Sequence, residues 1–513
     1  MDRMKKDLKI LFVNPCLRPG GFTKILPVGL ASVMTYFKEN RYEFTLLDTD
    51  INEYDDEYVE NYIKNNHFDF VLLGSIVTHY KWIKWFVNMT KTYQSKSKVI
   101  VGNSVAGSIP ELFLEKTKAD VVVCWEGEVS AYETVDAIHQ NKDLKDVEGI
   151  AFRDIEGNFV QTPARKAEKI DTLPIIDWSI FDVERYLSYG TLFPEQNKSK
   201  NESDRAMPIV TARGCAFKCT FCHYVFWDDP YRNRNPKAIV EEIKQLQEKY
   251  DIKYFNFWDD LTFASAIQAE KLSDEIIKNG LKIKWVASIR VDIFSRANLS
   301  YEESLRVANK MKQAGCYDVG FALESGNKEI LEMMNKKIDV SAFYNTCQIL
   351  KDVGITVQTS LVFGYPTETK ETIKQTFDQC LKARVYPSIG FLLPLPYTVM
   401  YDYAKANGFI TDEDAFLESI TERQDICVNM TKMSDEEIMT EIKNGARKLN
   451  DMLELGLTED TYIKTKTYQG YKDKKKLKPI DPENIKRIRN DVSFNYSANE
   501  FVFEEQNCWY YNK

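Results

Sequence analysis

Residues 213–224 read RGCAFKCTFCHY, which places Cys215, Cys219 and Cys222 within eight residues and His223 directly after them. The spacing Cys-x3-Cys-x2-Cys lets three thiolates face one another across one loop, which suits a cluster better than a lone ion. Zinc sites more often join separated ligand pairs. Here no second Cys/His pair lies close in sequence, and adjacent side chains such as Cys222 and His223 seldom point at one metal. A purely structural role would not require so tight a group. A [4Fe–4S] cluster normally takes four thiolates. With three, one iron stays open, and its fourth ligand must come from a substrate or cofactor.

The rest of the chain sets the conditions for such a site. Its 513 residues and 44% hydrophobic content suffice for two or three domains with their own cores. Ten cysteines are scattered without dense pairing. The start, MDRMKKDLKILFVNP, is charged, and Asn14-Pro15 ends its short apolar run, so neither a signal peptide nor a membrane span is expected. A cytoplasmic location would keep the thiols reduced. The net charge of −9, from 68 basic and 77 acidic side chains, argues against a general nucleic-acid binder. KDKKKLK at 472–478 is a local exception and reads as a solvated loop.

Short apolar runs alternate with helical patterns, as in parallel βα units. LKILFV (8–13), EFTLLD (43–48), DFVLLG (69–74), KVIVG (98–102) and ADVVVCW (119–125) predict a Rossmann-like, doubly wound α/β domain over 1–144. Ligands of such sheets bind at the carboxyl ends of the strands. Residues 145–205, with Pro163, Pro174, Pro194 and a polar end, read as a linker. Alternation resumes in PIVTARG, KYFNFWDD, KWVASIR, YDVGFALESG, TVQTSLVFGYP and YPSIGFLLPLP. These six units predict a partial (β/α)6 TIM-type barrel over 206–404, with its chemistry at the C-terminal strand ends. Asn235-Pro236 is a predicted helix start. Residues 405–513 read as a small, mostly α domain ending in an aromatic tail that could wall a pocket or simply pack.

The cysteine loop and the motifs after it resemble the radical S-adenosylmethionine (SAM) superfamily. The resemblance implies that Cys215, Cys219 and Cys222 hold a [4Fe–4S] cluster whose open iron takes the amino and carboxylate groups of SAM. It also implies that Phe221 contacts adenine through its backbone, and that Asp259 and Asp260 of FNFWDDLTF face the methionine amino group. Arg290, Glu324, Gly364 and Glu368 would line the cofactor pocket. Each has a plainer reading: Asp259 and Asp260 as helix caps, Arg290 as half of an ion pair, Glu368 as a first-turn acid.

The order of a Rossmann-like domain, a proline-bearing bridge and then the cysteine loop is similar to cobalamin-binding radical SAM enzymes. The matching stretches are LPVGLAS (26–32), GSIVTH (74–79), VGNSVAGSIPE (101–111), WEGEVSAYET (125–134), VEGIAFRD (147–154) and DTLPIIDWSIFDVERYL (171–187). By this resemblance Gly74, Ser75, Thr78, His79, Gly102, Asn103, Glu126, Gly127 and Glu128 would contact cobalamin. NPCLRPG replaces the Asp-x-His-x-x-Gly loop that puts a histidine on cobalt, and Gly102-Asn103 replaces the usual paired glycines. His79 is a candidate cobalt ligand, or else a first-turn residue exposed at a domain interface. The implied activity is cobalamin-dependent methylation of an unactivated carbon, with cyclisation or rearrangement as the alternative and a non-catalytic sensor as a third reading. Implied partners are a small-molecule or peptide substrate and an electron donor such as flavodoxin or ferredoxin.

Overall fold

The computed structural model describes residues 8–19, 24–190, 205–223, 230–420, 425–459 and 462–463; the aromatic tail lies outside them. The first domain is built on strands β1 (Ile10–Asn14), β2 (Thr45–Asp48), β3 (Phe70–Gly74), β4 (Lys98–Gly102), β5 (Val121–Val123), β6 (Ile150–Arg153) and β7 (Phe159–Gln161), in the order β2-β1-β3-β4-β5-β6-β7. The first five are parallel. They read as unbroken apolar runs because helices cover both faces. Phe12 packs with Phe37 and Val135 on one face, while Leu11 and Val13 share the other with Ile83 and Phe86.

Residues 145–205, expected as a linker, supply two of these strands. β6 and β7 form an antiparallel hairpin on the edge of the sheet. Its turn is closed by Gly157 N–H on the Asp154 carbonyl and Asn158 N–H on the Asp154 carboxylate. Strands of four and three residues are too short to announce themselves by alternation. Farther along, Trp178 and Tyr186 are buried, and the Tyr186 hydroxyl donates to Asp48 at 2.9 Å. Residues 145–190 are therefore packed onto the first domain.

The second domain is the predicted partial barrel. Its strands are β8 (Ala206–Ile209), β9 (Ala212–Arg213), β10 (Arg232–Asn233), β11 (Tyr254–Phe257), β12 (Lys284–Ser288), β13 (Cys316–Gly320), β14 (Thr356–Gln358), β15 (Ser360–Phe363) and β16 (Ser388–Phe391). A parallel ladder runs β8-β11-β12-β13-β14. β14 and β15 are halves of one element interrupted at Thr359; β15 continues the curve through a Glu324–Leu361 bridge and pairs with β16. Among the described residues β16 does not pair with β8. Asn235 caps the helix Pro236–Tyr250 as expected, accepting from Lys237 N–H with proline at the first turn.

C-terminal helices tie the two domains together. Asp414, on helix Glu413–Ser419, accepts from the Tyr80 hydroxyl at 2.7 Å and from Lys84 at 2.8 Å, and Leu417 and Ile420 enter the core of the first domain. Helix Asp435–Leu453 lies on helix Lys370–Ala383, where Gly445 admits the Phe377 ring.

Gly315, which leads into β13, has φ +100, and a Cβ there would lie 2.0 Å from the Ile283 carbonyl oxygen. Gly315→Ala is expected to cost roughly 3 kcal/mol, read as a lower urea midpoint at unchanged slope.

Candidate active site

The cysteine loop leaves the barrel through a two-residue ribbon. β9 and β10 pair antiparallel, with Arg213 opposite Arg232 and Ala212 opposite Asn233, closing the loop between them. Gly214 turns the chain at φ +84, where a side chain would be strained. The three cysteines line a cavity of about 280 Å³ together with the ends of the barrel strands and Ile76, Val77 and Thr78 of the first domain. Among the described residues no three His, Cys, Asp or Glu side chains converge as a single metal ion would require. A cluster binds its thiolates on separate irons and so holds them farther apart. Burial raises all three thiols above their ordinary range; Cys222 is surrounded by protein and owes its exposed surface to the cavity. Nearby iron would reverse that preference and favour the thiolates.

The loop is anchored along its length. Thr220 N–H donates to the Met334 carbonyl and its hydroxyl to the Met333 carbonyl, both at 2.9 Å, and Met400 N–H donates back to the Thr220 carbonyl. Asn335 donates to the Lys218 carbonyl. Phe217 lies under two guanidinium groups, Arg290 at 3.5 Å and Arg296 at 4.9 Å from the ring centre.

Several residues expected as cofactor contacts belong to this support. Asp259 lines the cavity, but its carboxylate accepts from Thr211 N–H (2.8 Å), Ala212 N–H (2.9 Å) and the Thr211 hydroxyl (2.5 Å), fixing the approach to the loop. Asp260 is the member of the pair left exposed at the cavity. Arg290 lines the cavity, makes a two-pronged pair with Asp292 at 2.8 and 3.1 Å and donates to the Lys336 and Lys337 carbonyls. Gly364 and Glu368 are not among the cavity-lining residues. Burial raises the Glu368 carboxyl to about 7, and it accepts from Thr372 at 2.5 Å.

Glu324 and Phe221 remain as cofactor candidates. Phe221 lines the cavity with its ring edge-on to Tyr365. Glu324 is buried at φ +63; Lys336 donates to one carboxylate oxygen at 3.1 Å, while the other has no hydrogen-bond partner. Burial is the largest influence and would lower the Lys336 ammonium, but Glu324 and Cys219 together raise it. Lys336 lines the cavity and was not legible in the sequence, where NKK carries no motif. Asn256 Oδ1 and Ser360 Oγ are also buried without partners among the cavity-lining groups. A ligand rich in N–H and O–H donors, as SAM is, fits these acceptors. His223 lines the cavity too, and burial lowers its imidazole to about 4, which keeps it neutral.

In the first domain, the β3 and β4 ends meet at Gly74 and Gly102, where a Cβ on Gly74 would lie 3.1 Å from the Gly102 carbonyl oxygen. Asn103 adopts φ +62, a conformation that explains glycine as the usual residue here. Thr78 has a buried hydroxyl without a hydrogen-bond partner on the cavity wall, a feature that fits a bound cofactor between the domains. His79 does not line that cavity. It is 2% exposed, shares a 3.1 Å hydrogen bond with the Ser75 hydroxyl through Nδ1, and stacks on Trp82 at 5.2 Å. It is thus neither a cavity-facing ligand nor an exposed interface residue. Gly127 packs at the helix start, where a Cβ would lie 3.2 Å from Val33. Glu126 and Glu128 are engaged by arginines of the cysteine-loop ribbon.

Two family models match the chain: the radical SAM superfamily over residues 209–380 and the B12 binding domain over residues 23–135. The chain thus carries a B12-binding domain followed by a radical SAM domain. The cofactors of a chain so built are a [4Fe–4S] cluster, SAM and cobalamin. An uncharacterized methyltransferase of Pyrococcus horikoshii is 28% identical over 316 residues, covering 61% of this chain and 64% of the relative. An anaerobic magnesium-protoporphyrin IX monomethyl ester cyclase of Rubrivivax gelatinosus is 27% identical over 382 residues, covering 72% of this chain and 65% of the relative. The chain therefore spans less than two thirds of the length of these curated relatives. The cobalamin-dependent radical SAM enzyme OxsB, solved with aqua-cobalamin and SAM, superposes with a TM-score of 0.62 at 16% identity over 81% of this chain and 56% of its own, a likeness of fold.

Beneath the cavity, Asp318 is buried and accepts from the Gln358 amide at 3.0 Å; burial raises its carboxyl to about 7. Between its usual value near 3.8 and about 7, the folded chain holds a proton that the unfolded chain has released. Stability therefore falls as pH rises through that window. Asp318→Asn should stabilise the fold at about pH 8 by on the order of 4 kcal/mol, read as a higher melting temperature, and leave it nearly unchanged at about pH 4. A pH-independent difference would contradict this.

Proposed function

We propose that this protein is a cobalamin-dependent radical SAM methyltransferase acting on an unactivated carbon. The observation that carries the reading is one shared cavity. Cys215, Cys219 and Cys222 line it from the barrel, and Ile76, Val77 and Thr78 from the B12-binding domain. When bound, the cluster with SAM would supply a carbon-centred radical and cobalamin a transferable methyl group. The chain's own part is to bind, orient and exclude water. Cys215, Cys219 and Cys222 would hold the cluster, while Glu324, Asn256 and Ser360, which line the cavity and carry unpartnered oxygens, would accept from the donors of SAM. Phe321, Ile338, Val362, Phe391 and Leu392 give the cavity apolar walls that keep water from a reactive intermediate. The partners of this reading are a small-molecule or peptide substrate and an electron donor such as flavodoxin or ferredoxin.

Two measurements test it. Anaerobically reconstituted protein should carry about four irons, and joint replacement of Cys215, Cys219 and Cys222 by alanine should abolish both the iron and SAM cleavage; stoichiometric zinc without iron would refute it. With its substrate, the protein should release S-adenosylhomocysteine and 5′-deoxyadenosine in near-equal amounts, and the product should gain one methylene by mass. Turnover with 5′-deoxyadenosine alone and no added methylene would instead assign a cyclase or rearrangement enzyme.

A further inference from the structure

The acids that the sequence places with cobalamin have other partners. Glu126 bridges both arginines of the ribbon: its Oε2 lies 3.3 Å from Arg213 and 3.3 Å from Arg232, and its Oε1 accepts a second bond from Arg232. Glu128 accepts from Arg213 and from the Ser32 hydroxyl, each at 2.6 Å. Arg213 and Arg232 face each other across β9 and β10, so their charges repel unless something lies between them. Arg213 stands two residues before Cys215, and its neighbour Ala212 is fixed by Asp259. On the other side, Glu126 is the N-cap of the helix Gly127–His139 and Glu128 lies in its first turn, so both acids are mounted at one helix start.

We propose that Glu126 and Glu128 are positioning residues for the cysteine loop, holding its base from the B12-binding domain through Arg213 and Arg232. This rests on the cluster reading above. The B12-binding domain then has a second task, independent of what it binds: it neutralises the two arginines at the neck of the loop and fixes where the thiols stand. Burial is the largest influence and would raise the Glu128 carboxyl, but the charge and hydrogen bond of Arg213, together with the Ser32 hydroxyl, hold it below its ordinary value.

The test uses the full chain, reconstituted with iron and hydroxocobalamin. Glu126→Gln and, from the opposite side, Arg232→Gln should each speed iron loss to a ferrous chelator about tenfold. Each should also alter the electron paramagnetic resonance change that SAM induces in the reduced cluster. The double variant should lose iron no faster than the worse single one, and Arg232→Lys should restore most of the parent's retention. Hydroxocobalamin affinity should change less than about twofold, and far-ultraviolet circular dichroism should match the parent. Unchanged iron loss and resonance in a parent-like fold would overturn the inference alone. Weakened hydroxocobalamin binding with the cluster unaffected would return the acids to cobalamin. A parent that holds no iron would remove the cluster reading and this inference together.

Discussion

Among its described residues, the loop that brings three thiols to one place has little internal hydrogen bonding beyond Cys222 N–H on the Cys219 carbonyl, so its geometry depends on being held from outside. Much of the polar structure around the barrel mouth meets that constraint. Asp259 fixes Thr211 and Ala212 before the loop, Arg290 and Arg296 both contact the Phe217 ring within it, and Thr220 and Lys218 are tied to residues 333–335. The ribbon of β9 and β10 closes the neck, and the acids of the first domain close the ribbon. A site assembled in this way can present thiols at fixed spacing without a strand or helix running through it.

That requirement also separates what the sequence reveals from what it conceals. The sheet strands and barrel units are legible because each is an apolar run at a fixed period, and the cluster ligands because their spacing is local. Asp259, Arg290, Glu126 and Glu128 sit in recognisable motifs, yet a motif marks position along the chain and says nothing about which neighbour claims the side chain. Asp259 and Asp260 are adjacent and chemically alike; one is consumed by two backbone amides and a hydroxyl, the other is left at the cavity. Lys336 and Phe217 carry no pattern. Their roles come from contacts between segments separated by many residues, which no local reading can supply. The β6–β7 hairpin is hidden for the opposite reason: it is local, but too short to show a period.

Among the described residues, the interdomain contacts include two of different kind. On one side the acids of the first domain grip the ribbon. Elsewhere Asp414 and Glu418 hold Lys84 while Leu417 and Ile420 insert into the first domain's core. The first is an ion-pair contact next to the chemistry and the second is mainly burial, so they answer differently to salt and temperature. The wall formed by Ile76, Val77 and Thr78 belongs to the same first domain, so its place over the barrel mouth is set by these contacts as well.

What remains free of structural duty is informative about the ligand. Arg290 is spent on Asp292 and on Phe217, and Lys336 on one oxygen of Glu324. The second Glu324 oxygen, Asn256 Oδ1 and Ser360 Oγ are buried without partners in residues that line the cavity, amid aromatic and aliphatic walls. An anion placed there would meet like charge and lone pairs, and a hydrocarbon would leave buried acceptors without donors, an expensive outcome in either case. A molecule whose hydroxyl and amino groups donate, and whose ring surfaces pack, satisfies both halves of the cavity at once. The same polarity that suits SAM thus disfavours occupation by a simple carboxylate or alkane when the cofactor is away.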